Sequence, residues 1–278
     1  MLTGKLTGKT ILITGASSGI GKAVALRAAR DKCNIILASR NIQKLNEVKA
    51  EVERLGSTAE VMQCDVTKVD EIRNLFLKAA KQRIDVVFNN AGLGFVKPLY
   101  ELTVDEIQEM INVNITGMIL TTKFASEVMT RQKSGHIIMT SSLAGLITLP
   151  QWSVYCSSKW AITGFADSIR PELKKYNIKV TTLHPGIVKT EFFKTGGISE
   201  SSVYNSGAIT TDDVAEEVYR SIFTNKHKII VPAIGEVVSF IYKLSPGLFR
   251  TLISKMLNVK YSDSKDEDEP EFDNIKIP

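Results

Sequence analysis

Cysteine is scarce in this sequence. Its 278 residues hold three, Cys33, Cys64 and Cys156, an odd number with no C-x-x-C pair. That spacing excludes a disulfide framework and a cysteine-based zinc site, and it points to a reducing, cytoplasmic setting. No other metal-ligand pattern stands out, so no bound metal is expected. Long apolar runs are also missing: none reaches the ~18 residues a membrane-spanning helix needs. The opening stretch, MLTGKLTGK, is polar and leads straight into an apolar strand, which leaves no room for a secretory h-region. There is no long internal linker, and the doubled LTGK at 2–9 is too short to be a structural repeat. A sequence pI of about 8.9 comes without any recognition motif, so nucleic acid is not expected as a partner.

Charge is present but uneven. The formal net charge is +5, yet the last seventeen residues, SDSKDEDEPEFDNIKIP (262–278), carry seven acids against two lysines, a net of −5. Residues 1–261 therefore hold +10. The tail has too little apolar surface to offset the entropy of ordering and reads as flexible. The remainder, with 44% hydrophobic and 23% charged residues in the whole chain, has ordinary globular composition.

Short apolar runs alternate with helix-length amphipathic segments. TILIT (10–14), NIILAS (34–39), AEVMQCD (59–65), IDVVFNN (84–90), GHIIMTSS (135–142), IKVTTLHPG (178–186) and HKIIVP (227–232) read as strands. Residues 22–31, 42–56, 104–131 and 153–175 read as helices between them. Regular strand–helix alternation means a parallel sheet covered on both faces, and right-handed crossovers make it doubly wound. The strands are almost continuously apolar, as strands buried on both sides must be. One α/β domain over 6–235 is expected, followed by an extension at 236–261 and the acidic tail at 262–278.

The first strand runs into TGASSGIG (14–21), whose Gly15, Gly19 and Gly21 form a G-x-x-x-G-x-G pattern. Missing Cβ atoms allow a tight turn, close approach of backbone to a pyrophosphate, and close helix–strand packing. The free N–H groups at the following helix start favour an anion. Ser17, Ser18 and Ile20 belong to the same loop. A carboxylate at the end of the second strand would suit the ribose hydroxyls of NAD. Here that strand ends in Ser39 and Arg40. Arginine presents a fixed fork of donors suited to phosphate, so Arg40 favours the 2′-phosphate of NADP.

These motifs, with CDV (64–66), NNAG (89–92), NVN (112–114), SS (141–142), YCSSK (155–159) and PGIVKT (185–190), occur in an order and spacing that resembles the short-chain dehydrogenases/reductases over residues 6–235. The resemblance implies a Rossmann-like fold and hydride transfer between NADP(H), with NAD less favoured, and a carbonyl or secondary alcohol. It casts Tyr155 as the acid/base and Ser142 as the donor orienting the substrate oxygen. Lys159 becomes the cation that lowers the phenol pKa and holds the nicotinamide ribose, and Asn114 part of a water and lysine proton relay. Helical spacing puts Tyr155 and Lys159 one above the other, where an ammonium favours the phenolate. Asp65 and Val66 would line the adenine. Asn90, Ala91 and Gly92 would run along the adenosine ribose, and Pro185, Gly186, Val188 and Thr190 would enclose the nicotinamide. A homodimer or homotetramer is implied as well.

Ser141 should face away from Ser142. Cys156 reads as an ordinary buried cysteine and His184 as a satisfied structural histidine. Leu93, Phe95, Leu143, Leu146, Leu149, Trp152, Phe192 and Phe193 are expected to border an apolar pocket, with 192–207 as a lid. The substrate expectation is a hydrophobic ketone, 3-oxoacyl group or steroid-like molecule. A non-catalytic NADP-binding sensor or scaffold remains the alternative, as does epimerisation or dehydration on the same fold. Within 236–261, Leu248, Phe249, Leu252, Ile253, Met256 and Leu257 follow helical period. Three placements suit that segment: against a lid or partner subunit, as an extension of the core, or on a membrane surface.

Overall fold

All five residues of Thr10–Thr14 are buried. Successive strand side chains point to opposite faces, so such a strand needs cover on both sides. The computed structural model, which describes residues 5–190, 192, 208–247 and 249, supplies that cover. Seven strands form one sheet: β1 (Thr10–Thr14), β2 (Asn34–Ser39), β3 (Thr58–Gln63), β4 (Val86–Asn89), β5 (Gly135–Thr140), β6 (Ile178–Pro185) and β7 (Lys228–Val231). Their order is β3-β2-β1-β4-β5-β6-β7, every neighbouring pair parallel. The chain starts in the middle, winds out to β3, then returns to β4 beside β1 and winds the other way. The strand order reverses between β1 and β4, where doubly wound sheets bind ligands beyond the carboxyl ends of their strands.

Alternation along β1 sorts the two cores. Ile11 and Ile13 join one cluster with Ile35, Leu37 and Phe88, covered by α1 (Gly19–Ala29), α2 (Ile42–Arg54) and α7 (Thr211–Ile222). Leu12 joins the other with Ile36, Val87 and Ile137, covered by α3 (Val69–Ala79), α5 (Met118–Gln132) and α6 (Ser153–Lys174). Local chemistry sets the helix starts. Thr103 and Glu106 form a reciprocal capping box on α4 (Val104–Ile111), and Thr210 and Asp213 form another on α7.

The doubly wound parallel sheet is as expected, but several boundaries move. The first helix begins at Gly19, inside the glycine motif. The single helix expected over 104–131 is α4 and α5 joined by a π-helical stretch at Asn112–Gly117. Helices α3 and α7 emerge where no particular segment had been singled out. Among the described residues, no helix is long and apolar enough to cross a membrane.

The chain divides into two compact units, residues 1–239 and 240–278. Helix α8 (Ile234–Leu244) runs across that boundary. In the second unit the rings of Tyr242 and Phe249 meet edge-on, 5.2 Å apart. The helix expected through 248–257, apart from Phe249, lies outside the described residues. So do the acidic tail at 262–278 and the lid at 192–207, apart from Phe192.

A buried carboxylate fastens α1 to α7. Asp31, 1% exposed, accepts from the Tyr219 hydroxyl at 2.5 Å and from the Leu6 backbone N–H at 3.2 Å. The Arg27 guanidinium carbon lies over the Tyr219 ring, 3.4 Å from its centroid, and Arg27 donates to Glu216 at 2.5 Å. Because a hydrogen bond to a charged group contributes more than a neutral one, Tyr219→Phe should lower the unfolding free energy by about 1.5–3 kcal/mol in urea titration. An unchanged urea midpoint would show that the Tyr219 hydroxyl contributes nothing there.

Candidate active site

The carboxyl ends of β1 and β4 meet at a single hydroxyl. Thr14 Oγ1 donates to Asn89 Oδ1 at 3.1 Å and accepts from the N–H groups of Asn90 and Ala91 at 3.0 and 3.2 Å. The Asn90 amide bridges from there to the carbonyls of Thr14 and Gly15, at 3.3 and 3.4 Å, and its Oδ1 accepts from Thr140 Oγ1 at 3.3 Å. The Asn90 side chain is thus committed to the strand ends.

The glycine turn is built against that corner. Gly15 has φ +65° and Gly19 φ +53°, the left-handed region that favours glycine. A Cβ on Gly21 would lie 2.2 Å from the Gly15 carbonyl oxygen, and one on Gly15 would lie 3.0 Å from Ala91 Cα. Helix α1 starts directly from this turn, and its N-cap, Ser18, makes no side-chain capping bond. The first-turn N–H groups are therefore not satisfied by a cap, which is the condition for an anion at a helix N-terminus. Ser17 and Ile20 are half-buried beside them and Ser18 is exposed. Thr190 closes the turn from across the crevice: its Cγ2 lies 3.4 Å from where a Gly19 Cβ would be. The segment carrying Thr190 is tied down by Gly186 N–H donating to the Val231 carbonyl at 2.7 Å and by a bridge between Val188 and Ile209.

Arg40 follows β2 with its side chain 66% exposed, its guanidinium 4.0 Å from Glu109. An exposed pair at that range holds the side chain only weakly. Asp65 Oδ1 accepts from the Thr67 N–H and hydroxyl at 2.9 and 2.8 Å, while Val66 is buried and packs on Gly117.

On the other side of β4, Ser141 and Ser142 follow β5 and point opposite ways. Ser141 Oγ donates to the Lys159 carbonyl at 2.9 Å, pinning α6 to the strand end. Ser142 Oγ accepts from the Ala144 N–H at 3.1 Å, donates to the Pro185 carbonyl at 3.4 Å, and is near enough to the Tyr155 hydroxyl to favour its ionised form. Lys159, 2% exposed, donates to the Thr140 carbonyl at 3.1 Å and stands over the Tyr155 ring, 5.6 Å from its centroid. Burial pulls the lysine down to about 8. Burial likewise pushes the Tyr155 phenol up, with the Ser142 hydrogen bond working against it.

In the chain by itself, burial is the largest influence on the Tyr155 phenol, and Lys159 Nζ stands over its ring.

Asn114, fully buried in the π-helical stretch, donates to the Leu93 carbonyl at 2.8 Å and to Ser158 Oγ at 3.1 Å and accepts from the Leu93 N–H at 2.9 Å. Three of the four bonds its amide can form are used in holding this segment. Gly92 sits over the group: a Cβ there would be 3.2 Å from Asn114 Oδ1 and 3.4 Å from Lys159 Nζ.

The apolar wall gathers around the tyrosine. Trp152 and Phe192 meet its ring edge-on, at 5.5 and 5.9 Å between centroids. Leu93, Phe95 and Leu149 pack on the same cluster. Met110 and Leu102, not singled out in the sequence, belong to it too. Leu143 instead turns toward Gly186 and Gly235, Leu146 is buried, and Phe193 lies outside the described residues. All three cysteines are free and buried, and burial pushes the Cys33 and Cys64 thiols up to about 12 and raises Cys156. Among the described residues, no group of three or more His, Cys, Asp or Glu side chains could hold a metal ion.

Sequence reasoning missed Gly94. A Cβ there would lie 2.9 Å from Tyr155 Cδ2 and 3.1 Å from Phe192 Cε1, so the glycine is the floor on which the catalytic candidate rests. It also missed Thr14, the Thr140 carbonyl and Ser158. Nothing in their local sequence distinguishes them, since their role depends on partners distant in the chain.

The chain is similar in sequence and fold to known proteins. The profile of the short chain dehydrogenase family matches residues 9–199. An uncharacterised oxidoreductase of Listeria monocytogenes is 36% identical over 223 residues, 77% of this chain and 90% of its own. An NADP-dependent 3-hydroxy acid dehydrogenase of Schizosaccharomyces pombe is 33% identical over 237 residues, 82% of this chain and 91% of its own. An alcohol dehydrogenase from the archaeon Thermococcus sibiricus, solved with 5-hydroxy-NADP, superposes with a TM-score of 0.73 at 29% identity, covering 80% of this chain and 95% of that one.

The tight seat of the tyrosine can be tested directly. Gly94→Ala should displace the ring and lower hydride turnover by about tenfold or more, because small misplacements at a reacting centre are costly. Dinucleotide affinity, read by fluorescence titration, should stay within about twofold. Full turnover in the variant would show that the ring has room to spare.

Proposed function

The chain belongs to the short-chain dehydrogenase family, and from that premise we propose that it moves a hydride between NADP(H) and the carbonyl or secondary alcohol of a hydrophobic small molecule. The observation that carries this is the convergence of Ser142, Tyr155 and Lys159 on one buried spot lined by glycine on one side and aromatic rings on another.

The residues present suit a dinucleotide. A side chain on Gly21 or Gly15 would collide with main chain, so the turn leaves its backbone open to a pyrophosphate at the start of α1. Gly15, Ser17, Ser18, Gly19, Ile20 and Gly21 would hold that group. Arg40 would take a 2′-phosphate, and Asp65 and Val66 the adenine. The main chain of Asn90, Ala91 and Gly92 would follow the ribose, and Lys159 with Pro185, Gly186, Val188 and Thr190 would surround the nicotinamide. When bound, the nicotinamide supplies the hydride.

The chain's own groups handle the proton. In the reductive direction Tyr155 Oη gives its proton to the substrate oxygen, and in the oxidative direction it takes one. Burial keeps the phenol protonated in the chain by itself, the form that can give a proton in the reductive direction. Ser142 orients the same substrate oxygen by hydrogen bonding, the kind of preorganised donor that often supplies the larger catalytic term. Lys159 places positive charge beside the phenolate left after proton transfer. The Asn114 side chain is occupied with Leu93 and Ser158, so any relay role falls to its main chain within the π-helical stretch, where backbone bonding is irregular.

The aromatic wall suits a hydrophobic ketone, 3-oxoacyl group or fused-ring substrate. In this reading the dehydrogenase domain covers 6–235, with 236–261 an appendage and 262–278 a flexible tail. The protein works in the cytoplasm as a homodimer or homotetramer.

The test follows NADPH oxidation at 340 nm with a panel of ketones, aldehydes and acyl thioesters. The wild type should turn over at least one class, and Tyr155→Phe should lose at least ~10²-fold in kcat, the low end of general acid catalysis. Tight NADPH binding with no turnover would favour a non-catalytic sensor. A second prediction concerns the cofactor: Arg40→Ala should raise KM for NADPH by about tenfold and leave KM for NADH within about twofold. Equal changes in both would remove Arg40 from 2′-phosphate recognition.

A further inference from the structure

His184 is fully buried in β6, the residue before Pro185. Its Nδ1 lies 3.0 Å from the Ser142 carbonyl oxygen and its Nε2 2.9 Å from Thr182 Oγ1. A carbonyl only accepts, so the ring proton sits on Nδ1 and is donated to Ser142. The Thr182 hydroxyl then fixes the other nitrogen. The Ser142 carbonyl also accepts the Gly145 N–H at 2.9 Å. Its two lone pairs are therefore taken by two donors, one from its own turn and one from the neighbouring strand. Burial lowers the His184 pKa to about 4, so the ring remains neutral and holds this tautomer.

From this geometry we infer that His184 is a positioning residue for the reduction step: it fixes the Ser142 peptide and thereby aims the Ser142 hydroxyl at the oxygen that Tyr155 protonates. The inference rests on the reductase reading above. The local turn through Gly145 orients Ser142 only relative to its own loop. The His184 bond ties it to β6, which also carries Pro185, whose carbonyl lies 3.4 Å from Ser142 Oγ. Ser141 N–H also donates to the Leu183 carbonyl at 2.8 Å, but the imidazole is the tie that reaches the Ser142 carbonyl itself. The fold contains a natural control. His136, buried in β5, bonds Thr181 Oγ1 at 2.8 Å through Nε2, at the strand end remote from Ser142.

The experiment compares His184→Leu, His184→Asn and His136→Leu in the full chain, with NADPH and whichever carbonyl the wild type reduces. His184→Leu should lower kcat by about tenfold or more, with KM for NADPH within about twofold. His184→Asn, whose amide nitrogen can stand where Nδ1 was, should recover kcat to within about threefold of wild type. His136→Leu should leave kcat unchanged. If His184→Leu keeps full kcat, or His184→Asn is no better than His184→Leu, the positioning role is overturned. A purely structural role would lower the melting temperature of both leucine variants without separating their kcat values.

Should His184→Leu not fold, nitrogen-15 histidine spectra of the wild type decide. An Nδ1–H tautomer with no titration above pH ~5 is expected, and an Nε2–H tautomer overturns the inference. A wild type that binds NADPH but reduces nothing in the panel overturns the reductase reading, and this inference with it. Wild-type turnover with His184→Leu unimpaired overturns this inference alone.

Discussion

An ammonium removed from water is the constraint on which the rest of the site depends. Burial of a lysine is costly unless its donors find acceptors, and Lys159 finds the carbonyl of Thr140 at the end of β5. That bond works only if α6 lies against the strand end, and Ser141 holds it there by bonding the carbonyl of Lys159 itself. The glycine at 92 gives the ammonium room, and the π-helical stretch brings Asn114 in beneath it. Tyr155, one helical turn back, then falls beside Ser142 without further adjustment. Four elements distant in sequence are thus dimensioned around one cation.

The two sides of the crevice are built by different means. The dinucleotide side is made of main chain: a glycine turn, an uncapped helix start and strand ends joined by amide and hydroxyl bonds. Such a surface suits a ligand whose shape is constant. The substrate side is made of side chains, with Trp152, Phe192, Phe95 and Leu149 around the phenol. Under the proposed function, exchanging those side chains would alter what fits while leaving Tyr155 in place, so chemistry and specificity would be carried by separable parts of the molecule.

Much of this was readable in the chain because it is local. Strands such as TILIT and NIILAS, each bounded within six residues, keep their limits in the structure. The glycine turn carries its meaning in eight consecutive positions, and the tyrosine–lysine spacing in five. What escaped is non-local. The π-helical stretch at Asn112–Gly117 is invisible because six residues are too few to separate one helical period from another. Gly94 looked ordinary because the ring it supports lies sixty-one positions later in the chain. The burial that pushes the phenol pKa up in the chain by itself is likewise a property of the whole packed structure. Leu143 was placed at the pocket by its neighbourhood, yet its side chain packs toward Gly186 and Gly235.

The Thr14 hydroxyl donates once and accepts twice, which uses all the capacity a hydroxyl has. Valine, its near-equal in shape, would undo all three attachments at once, and serine alone among the other residues could replace them at similar size. A joint of this kind makes the two central strands and the glycine turn a single stiff block. A dinucleotide seated there, as proposed, would meet an anvil: a surface already fixed before the ligand arrives.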